Sequence, residues 1–170
     1  MTKKPKYFCY QVEGADGAGK STLVLDISRR LNLPVIPTEN PPVSWEECRA
    51  RVRARFLPGV ICDRSSGLIS ELVYGPVLRG GTIGPEDWYW ETFGLIAPFL
   101  VLVYCEARGE FTFRPDEDPS HVQNVKDRIE NIHSRYREVF QRVEKETQAR
   151  VIRYNWKFQT VEEVTQLCAD

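Results

Sequence analysis

An eight-residue glycine-rich segment constrains this chain more than any other part of it. Residues 14–21, GADGAGKS, match the spacing G-x-x-x-x-G-K-[ST]. The segment follows a short apolar run at 7–13 and precedes 21–31, where apolar residues recur at helical spacing. A strand, a glycine turn and a helix N-terminus together let backbone N–H groups surround an anion. The sequence therefore predicts a phosphate-binding loop, against the alternative of a chance glycine turn with an exposed lysine.

The loop also predicts a donor and a cofactor. Lys20 is expected to pair with the β- and γ-phosphates of ATP as an exposed cation that packs against nothing, and Ser21 to place its hydroxyl on Mg2+. Seven residues are expected to bind ATP phosphates: Gly14, Gly17, Ala18, Gly19, Lys20, Ser21 and Thr22.

Five short apolar runs alternate with segments of helical periodicity along the chain. The runs lie at 7–13, 33–37, 59–62, 100–105 and 150–154. Such alternation predicts an α/β fold of the P-loop NTPase type, with a mostly parallel five-stranded sheet and helices on both faces. We expect one domain over 1–170, a proline-rich acidic lid at about 106–120, and one long amphipathic helix over 122–143.

Composition excludes several classes of protein. The chain carries 23 Lys plus Arg and 24 Asp plus Glu, a formal net charge of -1, so no global positive field recruits nucleic acid. Arginines occupy every second position from Arg49 to Arg55, which leaves a local nucleic-acid-binding patch as an alternative. Alternate residues on a helix point in different directions, so a solvated helix is the simpler interpretation of that run. No apolar stretch is long enough for a membrane span, and no signal peptide is evident. Five cysteines without a C-x-x-C pair indicate reduced thiols, no zinc and a cytoplasmic protein.

A second pair of polar residues stands at the carboxyl end of the third run. Asp63 and Arg64 lie where open parallel sheets bind ligands. A carboxylate there can hold Mg2+ through water, and an arginine can form a forked contact with an acceptor phosphate. A surface ion pair is the alternative. Together with the phosphate loop, and without the N-K-x-D that GTPases use for guanine, the pair favours a kinase.

The segments GADGAGKST and ICDRSS resemble the phosphate loop and the D-R motif of thymidylate kinases, and the late YNW agrees with the same family. The chain also resembles short phage-encoded deoxynucleoside monophosphate kinases. The resemblance implies ATP-dependent phosphoryl transfer to a deoxynucleoside monophosphate, with dTMP as first choice, in the cytoplasm of a host cell if the gene is phage-borne. It implies that Asp16 binds the acceptor 3'-hydroxyl, that Asp63 serves Mg2+ and catalysis, and that Arg64 contacts the acceptor phosphate. It also leaves a homodimer open.

The chain departs from that family at several positions. Thr38-Glu39-Asn40-Pro41 stands in place of T-R-E-P, so an acceptor-phosphate contact is absent or comes from Arg79. The phosphate loop carries no arginine, which makes Arg108 and Arg114 of the lid the candidates for the catalytic arginine. Three aromatic residues are candidates for contact with the acceptor base, against the alternative that most of them pack in the core: Tyr74, Trp88 and Phe93.

Two other functions stay open at this stage. One is a kinase that phosphorylates a hydroxyl, either of a free nucleoside or of a hydroxymethylated base in DNA, which alone would bring DNA in as a partner. The other is a nucleotide-binding module that switches partners without turnover.

Overall fold

All five apolar runs contribute a β-strand to the computed structural model, which describes residues 9–64, 67–110, 113 and 115–170. They lie side by side in the order β2-β3-β1-β4-β5, and every neighbouring pair is parallel. The predicted α/β fold with a five-stranded sheet is therefore confirmed. The strands are β1 (Cys9–Gly14), β2 (Val35–Ile36), β3 (Val60–Asp63), β4 (Leu100–Cys105) and β5 (Arg150–Tyr154).

Seven α-helices are described, with a short 3-10 turn at Ala97–Phe99 before β4. They cover both faces of the sheet: the first and last pack on one face, and the third, fourth and sixth form most of the core on the other. The helices are α1 (Lys20–Leu31), α2 (Trp45–Arg55), α3 (Ile69–Arg79), α4 (Glu86–Ile96), α5 (Pro119–Asp127), α6 (Ile129–Glu146) and α7 (Val161–Ala169).

The strand register places the candidate site. Val12 pairs with Asp63, and Gly14 pairs with Cys105. The segments that leave β1, β3 and β4 therefore emerge at the same edge of the sheet. Between β3 and β4 the chain crosses from one side of β1 to the other, and ligands of open parallel sheets bind at the carboxyl edge beside such a change of direction.

Local sequence signals explain where two helices begin. The Ser44 hydroxyl accepts a hydrogen bond from the Glu47 N–H at 3.2 Å, which caps α2 as serine caps do. Thr160 and Glu163 form a reciprocal capping box at the start of α7. Both satisfy N–H groups that a helix leaves without partners in its first turn.

The predicted long helix over 122–143 was wrong in one respect, because two helices span the region. Arg128 separates α5 from α6, with φ -117° and ψ 14° outside the helical range. Neither glycine nor proline marks that position, so the break follows from packing rather than from local propensity. The last two residues of the predicted lid, at 119–120, belong to α5 instead. Within the described ranges, no helix combines the length and apolarity needed to cross a membrane.

Candidate active site

The glycine-rich loop turns tightly between β1 and α1. Gly17 and Gly19 have φ of 79° and 86°, in the left-handed region that favours glycine. Both are also crowded. A Cβ at Gly17 would lie 2.5 Å from the carbonyl oxygen of Gly109, and one at Gly19 would lie 3.1 Å from the ring of Trp156. The loop therefore packs against the start of the lid on one side and against the segment after β5 on the other.

Lys20 is buried, not exposed as the sequence suggested. Its side chain folds over the loop, only 6% of the residue is exposed, and Nζ donates a 2.6 Å hydrogen bond to the carbonyl oxygen of Ala15. Burial, followed by the positive charge of Arg64, lowers the pKa of Lys20 to about 8. The loop closes around the amine, so the glycines predicted to surround an anion also exclude water from the lysine.

Ser21 and Asp63 lie side by side although 42 positions separate them. The Ser21 hydroxyl donates a 2.6 Å hydrogen bond to Oδ2 of Asp63, and the Asp63 backbone carbonyl accepts one from Thr38 at 2.8 Å. The other carboxylate oxygen, Oδ1, is buried and has no hydrogen-bond partner among the described residues. A hydroxyl beside a carboxylate with a free oxygen is a donor set that suits Mg2+, which prefers oxygen ligands.

Arg64, Asp16 and Tyr74 form a second cluster beside Asp63. The Arg64 guanidinium and the Tyr74 hydroxyl each donate a 2.8 Å hydrogen bond to the Asp16 carboxylate, one to each oxygen. Burial alone would raise the pKa of Asp16, but the charges of Arg64 and Lys20 and these hydrogen bonds outweigh it and hold that pKa well below its usual range. Burial raises the pKa of Tyr74 well above its usual value, so the hydroxyl stays a donor.

Arg79 and Glu71 form a third pair farther along α3. The Glu71 carboxylate is buried, accepts a hydrogen bond from the Ile83 backbone N–H at 2.9 Å, and forms an ion pair with Arg79. The Arg79 side chain remains partly exposed. A buried carboxylate thus fixes the orientation of a guanidinium that faces the cavity.

These three clusters open into one cavity of about 870 Å3. Its wall includes the phosphate loop, the segment after β2, the end of β3, helix α3 and the lid. The cavity has an acidic rim in addition to its three cations. The acidic residues on the rim are Glu39, Glu110, Asp116, Glu117 and Asp118.

In the glycine-rich loop, Gly14 and Ala18 do not line the cavity. Four predicted site residues beyond the loop lie elsewhere or outside the described residues. Phe93 is fully buried in the core, and Trp88 packs edge-on against Trp45 with ring centroids 4.6 Å apart, so neither lines the cavity. Arg108 pairs with Glu130 at 2.6 Å on the surface and does not reach the cavity wall. Arg114 lies outside the described residues.

Two residues at the site escaped the sequence analysis. Arg55 is 2% exposed beneath the cavity, although the alternating arginines indicated a solvated helix. Trp156 is half-exposed against Gly19, and its only signal was its place in the YNW segment. Burial of one arginine in four could not be read from spacing alone, because it depends on what lies under the end of α2.

Solved structures with a similar fold are known, whereas no protein-family model and no curated protein sequence matches the chain. The YorR protein of Bacillus subtilis, in complex with phosphorylated GDP, is 20% identical with a TM-score of 0.62 over 93% of this chain and 91% of that chain. A deoxyadenosine kinase from M. mycoides with bound dCTP is 13% identical, with a TM-score of 0.55 over 94% and 98% of the two chains.

A thymidylate kinase from Candida albicans is 15% identical, with a TM-score of 0.51 over 95% of this chain and 88% of that chain. The structural similarity establishes the fold, whereas sequence identities this low do not assign an activity. The chain has the P-loop α/β fold of these solved structures, which include a deoxyadenosine kinase and a thymidylate kinase.

Proposed function

We propose that this protein transfers the γ-phosphoryl group of ATP to a deoxynucleoside monophosphate. One observation carries the proposal: a phosphate loop with a buried lysine and the Asp63-Arg64 pair face the same cavity. Phosphoryl transfer needs little covalent participation by the protein, because catalysis comes from positioning and charge neutralisation. Both requirements are met when donor and acceptor phosphates meet between these two groups.

On the donor side, the loop N–H groups and Lys20 receive the β- and γ-phosphates. Lys20 then exchanges its bond to the Ala15 carbonyl for the phosphate oxygens. Ser21 and Asp63 would hold Mg2+, which when bound neutralises charge on the transferring phosphate. Trp156, half-exposed and packed against Gly19, is proposed to contact the donor base.

On the acceptor side, Arg64 is the group proposed to bind the acceptor phosphate. It lies beside Asp63 at the strand end and shares the cavity wall with Lys20. Asp16 and Tyr74 would contact the sugar, and Arg79 would contact the base or a second phosphate oxygen. dTMP is the first acceptor to test, given the thymidylate kinase-like motifs.

The lid is proposed to supply the remaining positive charge. Arg108 and Arg114 are the candidates, and a lid arginine meets the transferring group only after closure. Arg108 would have to leave Glu130 to do so, and both partners are exposed, so little free energy opposes that exchange.

A specific observation favours a second candidate, the phosphorylation of a hydroxyl. Glu39 lines the cavity where the related motif has an arginine, and its carboxylate lies 3.4 Å from Arg51 and 3.6 Å from Arg55. A monophosphate oxygen is already ionised at neutral pH and needs no base, whereas a hydroxyl must lose a proton. A carboxylate on the acceptor side suits a hydroxyl better than a phosphate.

The experiment that tests both is an acceptor panel with radiolabelled ATP. It includes the four deoxynucleoside monophosphates, the four deoxynucleosides, unmodified DNA and DNA with hydroxymethylated bases. We expect labelled diphosphate from a monophosphate, with no transfer in a Lys20→Met variant. Labelled monophosphate, or labelled DNA, together with loss of transfer in Glu39→Gln would establish the second candidate. Binding of ATP without transfer to any acceptor would show a nucleotide-binding module.

A further inference from the structure

Arg55, the last residue of α2, is a buried cation directly under the cavity. Its side chain is 2% exposed and does not line the cavity wall. The planar guanidinium donates to two backbone carbonyls: Nη2 to that of Pro37 at 2.6 Å and Nη1 to that of Arg64 at 3.3 Å. These carbonyls belong to the segments that follow β2 and β3. One side chain therefore joins two neighbouring strand ends.

Both joined segments carry groups of the candidate site. Pro37 precedes Thr38, whose hydroxyl binds the Asp63 backbone carbonyl, and Glu39, which lines the cavity. The other carbonyl belongs to Arg64 itself. The guanidinium thus reaches the acceptor side only through the main chain of the residues it contacts.

The backbone of Arg64 explains why this contact is needed. Arg64 has φ 69°, in the left-handed region that a residue with a Cβ seldom adopts without support. Its N–H donates to the Val12 carbonyl at 2.9 Å, and its carbonyl accepts from Arg55. Hydrogen bonds therefore hold the Arg64 N–H to the central strand and the Arg64 carbonyl to α2. This conformation accompanies the Arg64–Asp16 hydrogen bond of 2.8 Å.

Arg55 is anchored on its own main chain as well. Its carbonyl, one of those that a helix leaves free at its C-terminus, accepts from the thiols of Cys62 at 3.4 Å and Cys9 at 3.7 Å. The end of α2 is therefore held against β1 and β3 while its side chain extends to the strand ends.

The environment of the guanidinium argues against a purely structural role. Its Nε is buried and has no hydrogen-bond partner in the described part of the chain, and its nearest counter-charge, Glu39, is half-exposed at 3.6 Å. A buried cation with one donor unsatisfied is a costly way to close a helix. A forked donor is, however, the geometry that spans two carbonyls.

From this geometry we infer that Arg55 is a positioning residue for phosphoryl acceptance: it fixes the left-handed conformation of Arg64 and the adjoining Thr38–Glu39 segment. The inference rests on the proposed function. It adds Arg55 to the residues on which phosphoryl transfer depends, although Arg55 would touch neither the donor nor the acceptor.

The test compares Arg55→Met and Arg55→Lys with Arg53→Met, a matched control on the exposed side of the same helix. Methionine fills the space without donors, and lysine keeps the charge without the fork. For each variant we would measure the Kd of a non-hydrolysable ATP analogue, the KM of the acceptor, kcat, and the Cα and Cβ chemical shifts of Arg64. The stoichiometry of analogue binding gives the folded fraction, so rates are expressed per folded chain.

We expect both Arg55 variants to lower kcat/KM for the acceptor by about 100-fold, the scale of a small misplacement of reacting groups. The Kd of the ATP analogue should stay within about threefold, because the phosphate loop does not contact Arg55. Arg64 chemical shifts should leave left-handed values in both variants, and Arg53→Met should behave as wild type.

Two results separate failure of this inference from failure of the proposed function. Wild-type transfer with unchanged acceptor KM and unchanged Arg64 shifts in both Arg55 variants would overturn the positioning role. If the wild type is inactive on every acceptor but the Arg64 chemical shifts still change in the variants, the proposed function is overturned. The role of Arg55 in fixing the conformation of Arg64 is then retained. If Arg55→Met does not fold, the same measurements on Arg55→Lys test the positioning role.

Discussion

The Arg64 guanidinium and the Asp16 carboxylate, 48 positions apart in sequence, meet at 2.8 Å in the wall of the cavity. Tyr74 binds the other oxygen of the same carboxylate, so both oxygens of Asp16 have donors before any ligand arrives. An acceptor that uses Arg64 must therefore share it with Asp16. The pair therefore links Arg64, the residue proposed to bind the acceptor phosphate, to Asp16 of the glycine-rich loop.

Arg64→Lys should fail to rescue Arg64→Ala. A lysine supplies the charge but not a planar fork that can hold Asp16 and a phosphate at once. We expect kcat/KM for the monophosphate acceptor to fall at least about 100-fold in both variants, with the Kd of an ATP analogue little changed. Steady-state kinetics with dTMP check this, and wild-type-like kcat/KM in Arg64→Lys would contradict the forked contact.

The pKa of Lys20 predicts a pH dependence of donor binding. A lysine that titrates at about 8 loses its charge as the pH rises through that value, so ATP affinity should weaken above it. The Kd of an ATP analogue should increase by up to about tenfold per pH unit. Lys20→Met is the control, and its weaker binding should show no such slope. An equal slope in that variant would assign the titration to another group.

Deprotonation of Lys20 should also affect stability: ATP binding weakens as the pH rises, whereas the folded state becomes more stable. The unfolded chain binds the Lys20 proton more tightly than the folded chain, so between about pH 8 and about pH 10.5 the free energy of unfolding should rise with pH. Lys20→Met should remove that contribution from urea unfolding curves.

Ser21→Ala and Asp63→Asn should each raise the Mg2+ concentration needed for half-maximal transfer. Each removes one of the oxygen groups proposed to hold the ion, and kcat should fall by about 100-fold or more at fixed Mg2+. A magnesium titration of activity measures both effects. Ser28→Ala, whose hydroxyl binds the Leu33 carbonyl away from the site, is the control. Unchanged magnesium dependence in Asp63→Asn would remove that residue from the metal site.

Gly109→Ala should disturb the junction between the lid and the phosphate loop. A Cβ there would lie 2.6 Å from the Gly17 carbonyl oxygen, so one of the two backbones must move. We expect lower thermal stability and a lower kcat. Gly94→Ala is the matched control, since nothing lies within 4 Å of its Cβ in α4, and it should stabilise the protein by about 0.5–1 kcal/mol. Equal effects of the two changes would show that the junction tolerates a side chain.

The sequence by itself determined the fold and the loop. Strand and helix periodicity, together with the glycines of residues 14–21, act over short distances along the chain, so they predict β1, α1 and the alternation of strands with helices. The same local signals placed Asp63 and Arg64 at a strand end. The capping contact between Ser44 and Glu47 is equally local, because all of its atoms lie within one turn of helix.

Only the tertiary structure decided how those groups meet. The break at Arg128, the burial of Lys20 and Arg55, and the position of Trp88 and Phe93 away from the cavity all depend on elements distant in sequence. Four arginines in α2 share one local pattern, yet Arg55 is fully buried and its guanidinium donates to carbonyls after both β2 and β3. Spacing gives the direction of a side chain from its own helix, whereas packing decides whether water or another strand lies there.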